Sequence, residues 1–391
     1  MKLTWKPWFS SVLRWSLLID ALVAAAFSLL TVVMTPVWIH WVVGMVVPEI
    51  GLWLALLTLL IGASAWLFQS GHVYQTSMTL VLCSIAIALF LKPTAQASLL
   101  GKPLRAQLTE AFGPADVHRA PFSLRAAIFE SAPEPAPLEA FEYTKGLKLD
   151  FYRAIGRTRA PCVVVIHGGS WVGGNRMDYG TRRELNDWLA RQGYAVASID
   201  YRLCPEHKWP AQREDLLAAI EFLRSHATEL GIDEEQFVLL GRSAGGQMAT
   251  ATAYWKHDPT IRGVIAIYPP TDFRRTWEVA MQPGNIDHRL NLEWFLGGNP
   301  ESASAAFDSA SGALHVNADA PPTLILQGEL DVNVFHEQSE LLANRLSDAR
   351  VPHALVSLPW AAHGFDLIAF NSPGGQITTY SVTWFLEAVT H

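Results

Sequence analysis

Ser243 stands in the string Gly241-Arg242-Ser243-Ala244-Gly245-Gly246, after an apolar run at 237–240 and before a helix-compatible run at 247–254. A serine on a tight strand-to-helix turn is presented as a nucleophile. The crowded backbone of such a turn demands small residues two positions either side, which Gly241 and Gly245 supply. A serine hydroxyl needs a general base, and the base needs a group that orients it. Residues 321–331 read as a buried strand running into Gln327-Gly328-Glu329-Leu330-Asp331. Asp331 is the expected acid and Glu329 its nearby competitor, with a turn or helix-cap role as the alternative for Asp331. Residues 355–360 are strand-like and lead into Ala361-Ala362-His363-Gly364-Phe365, which makes His363 the expected base.

Acyl transfer also needs donors for the developing oxyanion. Upstream, 162–166 reads as a buried strand that enters His167-Gly168-Gly169-Ser170-Trp171-Val172-Gly173-Gly174. The N–H groups of Gly168 and Gly169 are the expected donors, with that of Ala244 as the third. An ordinary glycine turn after a strand is the competing reading. The order along the chain is oxyanion loop, serine, acid, histidine, as the α/β-hydrolase arrangement requires.

On these residues, the segment from about 161 to 363 resembles the hormone-sensitive-lipase-like esterases of the α/β-hydrolase superfamily. HGGSW at 167–171, GRSAGG at 241–246, GELD at 328–331 and HGF at 363–365 carry the resemblance. So does Asp200-Tyr201-Arg202-Leu203-Cys204-Pro205-Glu206 with Pro210-Ala211, which is similar to that family's DYRLxPExxxPA segment. The chain departs from the pattern at Ser170, where the family usually has a third glycine, and at Arg242, where it usually has an acidic residue. HGGxW without that glycine also looks like the related carboxylesterases that include isoprenylcysteine methylesterases, kynurenine formamidases and polysaccharide deacetylating esterases. The resemblance implies the same chemistry in either group, with no cofactor and no metal. Trp171, Tyr201 and Trp209, the aromatics of these strings, are the candidate substrate-pocket residues.

The elements that must position this set alternate along the chain. Strands are expected at 162–166, 194–200, 237–241, 262–268, 322–327 and 353–358, and helices near 179–192, 211–230, 244–256, 335–348 and 374–389. Such alternation predicts a mainly parallel, doubly wound sheet with helices on both faces. Residues 141–151 alternate about a central Lys-Gly and predict a hairpin of two edge strands. The stretch 272–320 breaks the alternation. Its Trp277, Trp294, Phe295 and Gly297-Gly298 suggest a lid over the site, against the reading of a surface excursion stapled by its aromatics.

The first ninety residues differ in kind. Between Asp20 and Lys92 the one formally charged residue is Glu49. Three spans of about 20 apolar residues, the length that crosses a bilayer, are expected at 15–34, 51–69 and 73–91. Trp38, Trp41, Trp53, Trp66 and Tyr74 suit an interfacial aromatic belt or simple packing. Asp20 is either a functional group inside a membrane or a residue just within the interface. A cleaved signal peptide competes for the start of the chain, yet two further apolar spans follow, which favours an anchor. Lys2, Lys6 and Arg14 before the first span balance Lys92, Lys102 and Arg105 after the last. Because long domains translocate largely regardless of charge, the catalytic part is placed on the extracytoplasmic side of a bacterial cell membrane.

The expected organisation is an anchor of about three helices over 1–92, a proline-marked linker over 93–137 with one or two short helices, and a hydrolase over 138–391. The first 92 residues hold four cations against two carboxylates, so the acidity of a chain of net charge −7 lies in the remainder. That argues against nucleic acid as a partner. Three cysteines give little, and a structural disulfide between Cys162 and Cys204 is not expected. Together the residues predict a membrane-anchored serine carboxylesterase acting on a small-molecule or lipid ester. Acyl transfer or deacetylation on envelope lipid or polysaccharide, and a catalytically silent ligand binder, are the alternatives.

Overall fold

The structure, a computed structural model, describes residues 7–33, 37–68, 72–177, 181–280 and 286–390. Lys2, Lys6, Met34, Gln69, part of the expected lid at 281–285 and the side chain of Trp38 lie outside the described residues.

The N-terminal region is a set of packed apolar helices: α1 (Pro7–Ser28), α2 (Trp38–Glu49), α3 (Gly51–Leu67) and α4 (Val73–Phe112). Small residues let these backbones approach closely. Gly62 of α3 faces Cys83 of α4, and a Cβ on Gly51 would strike the carbonyl of Phe90. By length and composition, Ser11–Thr31 and α4 are each apolar enough to cross a membrane. The pair formed by Trp41–Glu49 and α3, bent by 82°, is a third such unit if counted as one span.

Two expectations are corrected here. The loop expected after the first span contains α2, which turns through that bend into α3. The helix that holds the third expected span does not end near Leu91, because α4 continues through Pro93 and Pro103 as one helix of 40 residues. The prolines read as marks of a linker, but packing overrides that preference. Ala97, Leu104 and Leu108 of α4 are fully buried in a cluster with strand and helix residues of the C-terminal part, and Gln107 Nε2 donates to the carbonyl of Leu355 at 2.8 Å. Of the expected linker, residues 113–137 contain one short helix, α5 (Leu124–Phe129).

The C-terminal part is an eight-stranded sheet: β1 (Leu138–Thr144), β2 (Leu147–Tyr152), β3 (Ala160–Ile166), β4 (Ala195–Ile199), β5 (Ile232–Arg242), β6 (Ile261–Ile267), β7 (Thr323–Gly328) and β8 (His353–Leu358). The strand order is β1-β2-β4-β3-β5-β6-β7-β8. The pairs β1–β2 and β2–β4 are antiparallel and every other pair is parallel. The expected hairpin is present, but β2 is an interior strand, since it also pairs with β4. Strands β3, β4 and β7 are buried along their whole length, as strands covered on both faces must be.

Alternate strand residues feed two separate cores. Val164, Leu239 and Ala266 pack with α7 (Ala211–Ser225), α9 (Ala244–Ala253) and α13 (His336–Asp348). Val163, Val165, Leu240 and Ile265 pack with α6 (Thr181–Arg191), α14 (Pro373–Val389) and the far half of α4. A short α8 (Ala227–Leu230) follows α7. The break in alternation at 272–320 holds α10 (Phe273–Val279), α11 (His288–Leu296) and α12 (Ser304–Ala310). Phe295 of α11 stacks on Trp171 with ring centroids 4.2 Å apart, so this insertion is docked beside the HGGSW loop.

Candidate active site

The carboxyl ends of parallel strands are where such sheets gather ligand-binding loops. At the end of β5 the chain turns abruptly into α9 with Ser243 at φ 51°, ψ −118°, a conformation disfavoured for a residue bearing a Cβ. Close approach enforces the flanking glycines. A Cβ on Gly241 would strike the carbonyl of Gly245, and one on Gly245 would strike the carbonyl of Ile166. The turn is pinned by the Ser243 N–H, which donates to the carbonyl of Ile267 at 2.9 Å.

Two neighbouring loops bring Asp331 and His363. The N–H groups of Glu329 and Leu330, after β7, donate to the carbonyls of Leu358, the last residue of β8, and Ala361 beyond it. These bonds lace the two loops together, and His363 then reaches both partners. Its Nε2 lies 3.0 Å from Ser243 Oγ and its Nδ1 lies 2.7 Å from Asp331 Oδ2.

Asp331 is held as firmly as it holds the ring. Its Oδ1 accepts from the N–H groups of Asn333 and Val334, each at 2.9 Å, and its Oδ2 accepts from Gln327 Nε2 at 3.1 Å. Gln327 in turn accepts from Ser339 Oγ at 2.8 Å. The carboxylate is buried, whereas Glu329 is exposed, so Asp331 and not its neighbour meets the histidine. A buried, fully bonded acceptor facing Nδ1 favours the tautomer whose Nε2 can take the serine proton.

Opposite the serine lies the HGGSW loop. Gly168 is so close that a Cβ there would sit 3.3 Å from Ser243 Cβ. Among the described residues no hydrogen bond uses the N–H of Gly168, Gly169 or Ala244. The loop is fastened from behind: Trp171 Nε1 donates to Gln247 Oε1 of α9 at 3.0 Å, and Tyr201 Oη donates to the carbonyl of His167 at 3.0 Å.

Of the three candidate pocket aromatics, only Trp171 lines a cavity that contains Ser243. Tyr201 stacks on His167. Trp209 packs on Phe295 and donates to Ser309 Oγ at 2.8 Å. Both stand behind the wall, because the small residues of the loop leave the aromatics to brace it. Cys162 and Cys204 are buried and free.

Several residues of the site escaped the reading of the sequence. Arg242 is buried with its Nε 2.6 Å from Asp366 Oδ2, and Tyr268 Oη donates to Asp366 Oδ1 at 2.7 Å. The ring of Tyr268 lies against that of His363, with centroids 4.4 Å apart. The signal was available: an arginine at the end of a buried strand requires a carboxylate partner. His288 and Asn333 line one cavity that contains Ser243, and Trp41 and Met45 of α2 line another. Nothing in the local sequence around Trp41 links it to a site two hundred residues away.

Comparison with known proteins supports the fold and the lineage. The BD-FAE family model matches residues 149–346. Esterase LipC of Mycobacterium tuberculosis is 30% identical over 248 residues, which is 59% of this chain and 59% of that protein. The probable carboxylic ester hydrolase LipM of the same organism is 29% identical over 264 residues, or 63% of this chain and 59% of that one. The chain thus spans about three fifths of the length of these relatives. Among solved structures, esterase LipW from Mycobacterium marinum superposes with a TM-score of 0.54 at 25% identity, covering 77% of this chain and 90% of its own. The sheet is that of the α/β-hydrolase fold, and with the family model matched over half its length this chain belongs to the BD-FAE family.

Proposed function

We propose that this protein is a membrane-anchored serine carboxylesterase, with Ser243 as nucleophile, His363 as general base and acid, and Asp331 as the group that fixes the imidazole. The observation that carries the reading is the continuous bonded path from Ser243 Oγ through the His363 ring to Asp331 Oδ2. The naming of LipC as an esterase and LipM as a probable carboxylic ester hydrolase supports it.

In the proposed reaction Ser243 Oγ attacks the ester carbonyl carbon as His363 Nε2 takes the hydroxyl proton. The oxyanion of the tetrahedral intermediate is held by the N–H groups of Gly168, Gly169 and Ala244, the last at the start of α9, where the helix dipole favours negative charge. His363 returns the proton to the departing alcohol, leaving an acyl-serine. Water then attacks the acyl group, with the ring acting as base again, and frees the carboxylic acid.

The domain reading that accompanies this is an anchor over about residues 1–92, a lid over 272–320 and a catalytic domain on the extracytoplasmic side. The apolar helices support the anchor by length and composition.

The test uses purified full-length protein, short p-nitrophenyl acyl esters and a fluorophosphonate label. Hydrolysis and labelling that Ser243→Ala abolishes are expected. Absence of both in the wild type ends the esterase reading. A membrane-impermeant serine probe should label intact cells as well as lysed ones, and label only after lysis if the domain faces the cytoplasm.

A further inference from the structure

Two recesses meet at Ser243 and His363. The larger, of about 210 Å³, runs from the serine between the catalytic loops and α2, where Trp41 and Met45 face Leu367 and Ile368. Met45 Sδ would stand 3.6 Å from a Cβ placed on Gly364, so the apolar helix is in contact with the loop that carries the base. One wall of this recess belongs to the N-terminal region, and Ile286 of the lid borders it as well. The N-terminal wall is held in place by Glu49, whose carboxylate accepts from Trp360 Nε1 at 3.1 Å and from the Gly374 N–H at 2.7 Å.

The smaller recess, of about 30 Å³, lies on the lid side and is lined by His288 and Asn333. Asn333 is 6% exposed, and its side chain lies against that of His288, a contact that leaves both short of well-formed hydrogen bonds. Both residues border the cavity that contains Ser243. An amide offers both a donor and an acceptor, which suits a hydroxyl or carbonyl group of a ligand.

We infer that the ester cleaved here is lipid-like and presented from a bilayer, with a long apolar chain lying along Trp41 and Met45 of α2 and a compact polar group seated against Asn333 and His288. The inference rests on the proposed esterase reading. It makes the N-terminal helices part of the substrate site as well as an anchor. The apolar arm selects chain length, because each added methylene that finds the wall of α2 leaves water. The polar arm selects the group on the other side of the ester, because an analogue lacking the hydroxyl leaves Asn333 unpaired.

The experiment compares four esters with the full-length protein: 2-hydroxyethyl and propyl esters of butyric and myristic acid. The butyrates are supplied in solution, and the myristates either as dispersed monomers or in phosphatidylcholine vesicles that also hold the protein. Wild type should prefer 2-hydroxyethyl myristate in vesicles over the butyrate by more than about tenfold, and over the propyl myristate by about tenfold. Trp41→Ala and Met45→Ala should collapse the chain-length ratio, and Asn333→Leu the hydroxyethyl-to-propyl ratio. Leu60→Ala, on the exposed face of α3, should leave both ratios at the wild-type value. Each readout is a ratio within one variant, so partial loss of folded protein cancels. Ratios that do not move in the α2 and Asn333 variants overturn the inference while the esterase reading stands. Equal rates from vesicles and monomers overturn its bilayer part. If no ester is cleaved and Ser243 takes no fluorophosphonate, the esterase reading itself has failed.

Discussion

Arg242 and Asp366 form a buried ion pair at 2.6 Å that ties the residue before the serine to the residue three after the histidine. The nucleophile turn and the loop of the base come from different strands, and this contact closes the gap between them from beneath. Breaking one side strands a buried charge, at a cost of about 3–5 kcal/mol, whereas removing both can approach neutrality. Asp366→Leu and Arg242→Met should each lower the thermal midpoint and the fluorophosphonate labelling rate. The double variant should recover much of the stability. A chemical-denaturation double-mutant cycle measures the coupling.

For the reaction itself, Ser243→Ala should remove nearly all turnover of a p-nitrophenyl ester. Asp331→Asn keeps the geometry but offers an amide where the ring needs an acceptor, and it should cut kcat by about 10⁴. Glu329→Gln, at the exposed neighbour, should leave kcat within about twofold of wild type by steady-state kinetics, since surface changes away from special features cost about 0.5 kcal/mol or less.

His288 provides a pH signature. Burial in the cavity, and then the nearby His363, push its pKa below the ordinary histidine value. The folded state therefore resists a proton that the unfolded chain accepts, and stability rises with pH where the unfolded state holds more protons. The contribution is fully present above the unfolded value of about 6.5 and is lost as pH falls from there toward the folded value. His288→Gln should flatten the wild-type decline in denaturation midpoint between about pH 7.5 and 5.5. Parallel curves for the two proteins would show that this histidine carries no such linkage.

Glu49 is the clasp between the apolar helices and the hydrolase, 325 positions in sequence from Gly374. Glu49→Leu leaves the Trp360 indole N–H and the Gly374 N–H unpaired in a buried place, a loss of about 1–3 kcal/mol for each. Limited proteolysis of the detergent-solubilised protein should then cut around residues 50–72 faster, and the thermal midpoint should fall. The conservative Glu49→Gln keeps one acceptor and should lie between the two.

Much of the geometry that joins Ser243, Asp331 and His363 was legible because its constraints are local. The glycines around Ser243, the strand before it and the helix after it are neighbours in sequence, and the acid and base follow at strand ends where the fold leaves room for them. The same holds for the sheet, whose buried strands read as unbroken apolar runs. What stayed hidden depends on contacts distant along the chain. Tyr201 and Trp209 carry the aromatic character of pocket residues, yet the packing of the HGGSW loop turns them into its braces. Pro93 and Pro103 read as helix breakers until the burial of Ala97, Leu104 and Leu108 against the sheet is known. Trp41 looked like an interfacial residue. Only the bend between α2 and α3, together with the docking of Glu49, carries it to the serine.

The unbroken course of α4 has a mechanical result. Forty residues at 1.5 Å per residue make a rod of about 60 Å, twice the roughly 30 Å thickness of a hydrocarbon core. With its first half embedded as proposed, the second half packs along the sheet and is bonded to its edge strand β8. In that arrangement one helix sets the position of Ser243 relative to the lipid surface.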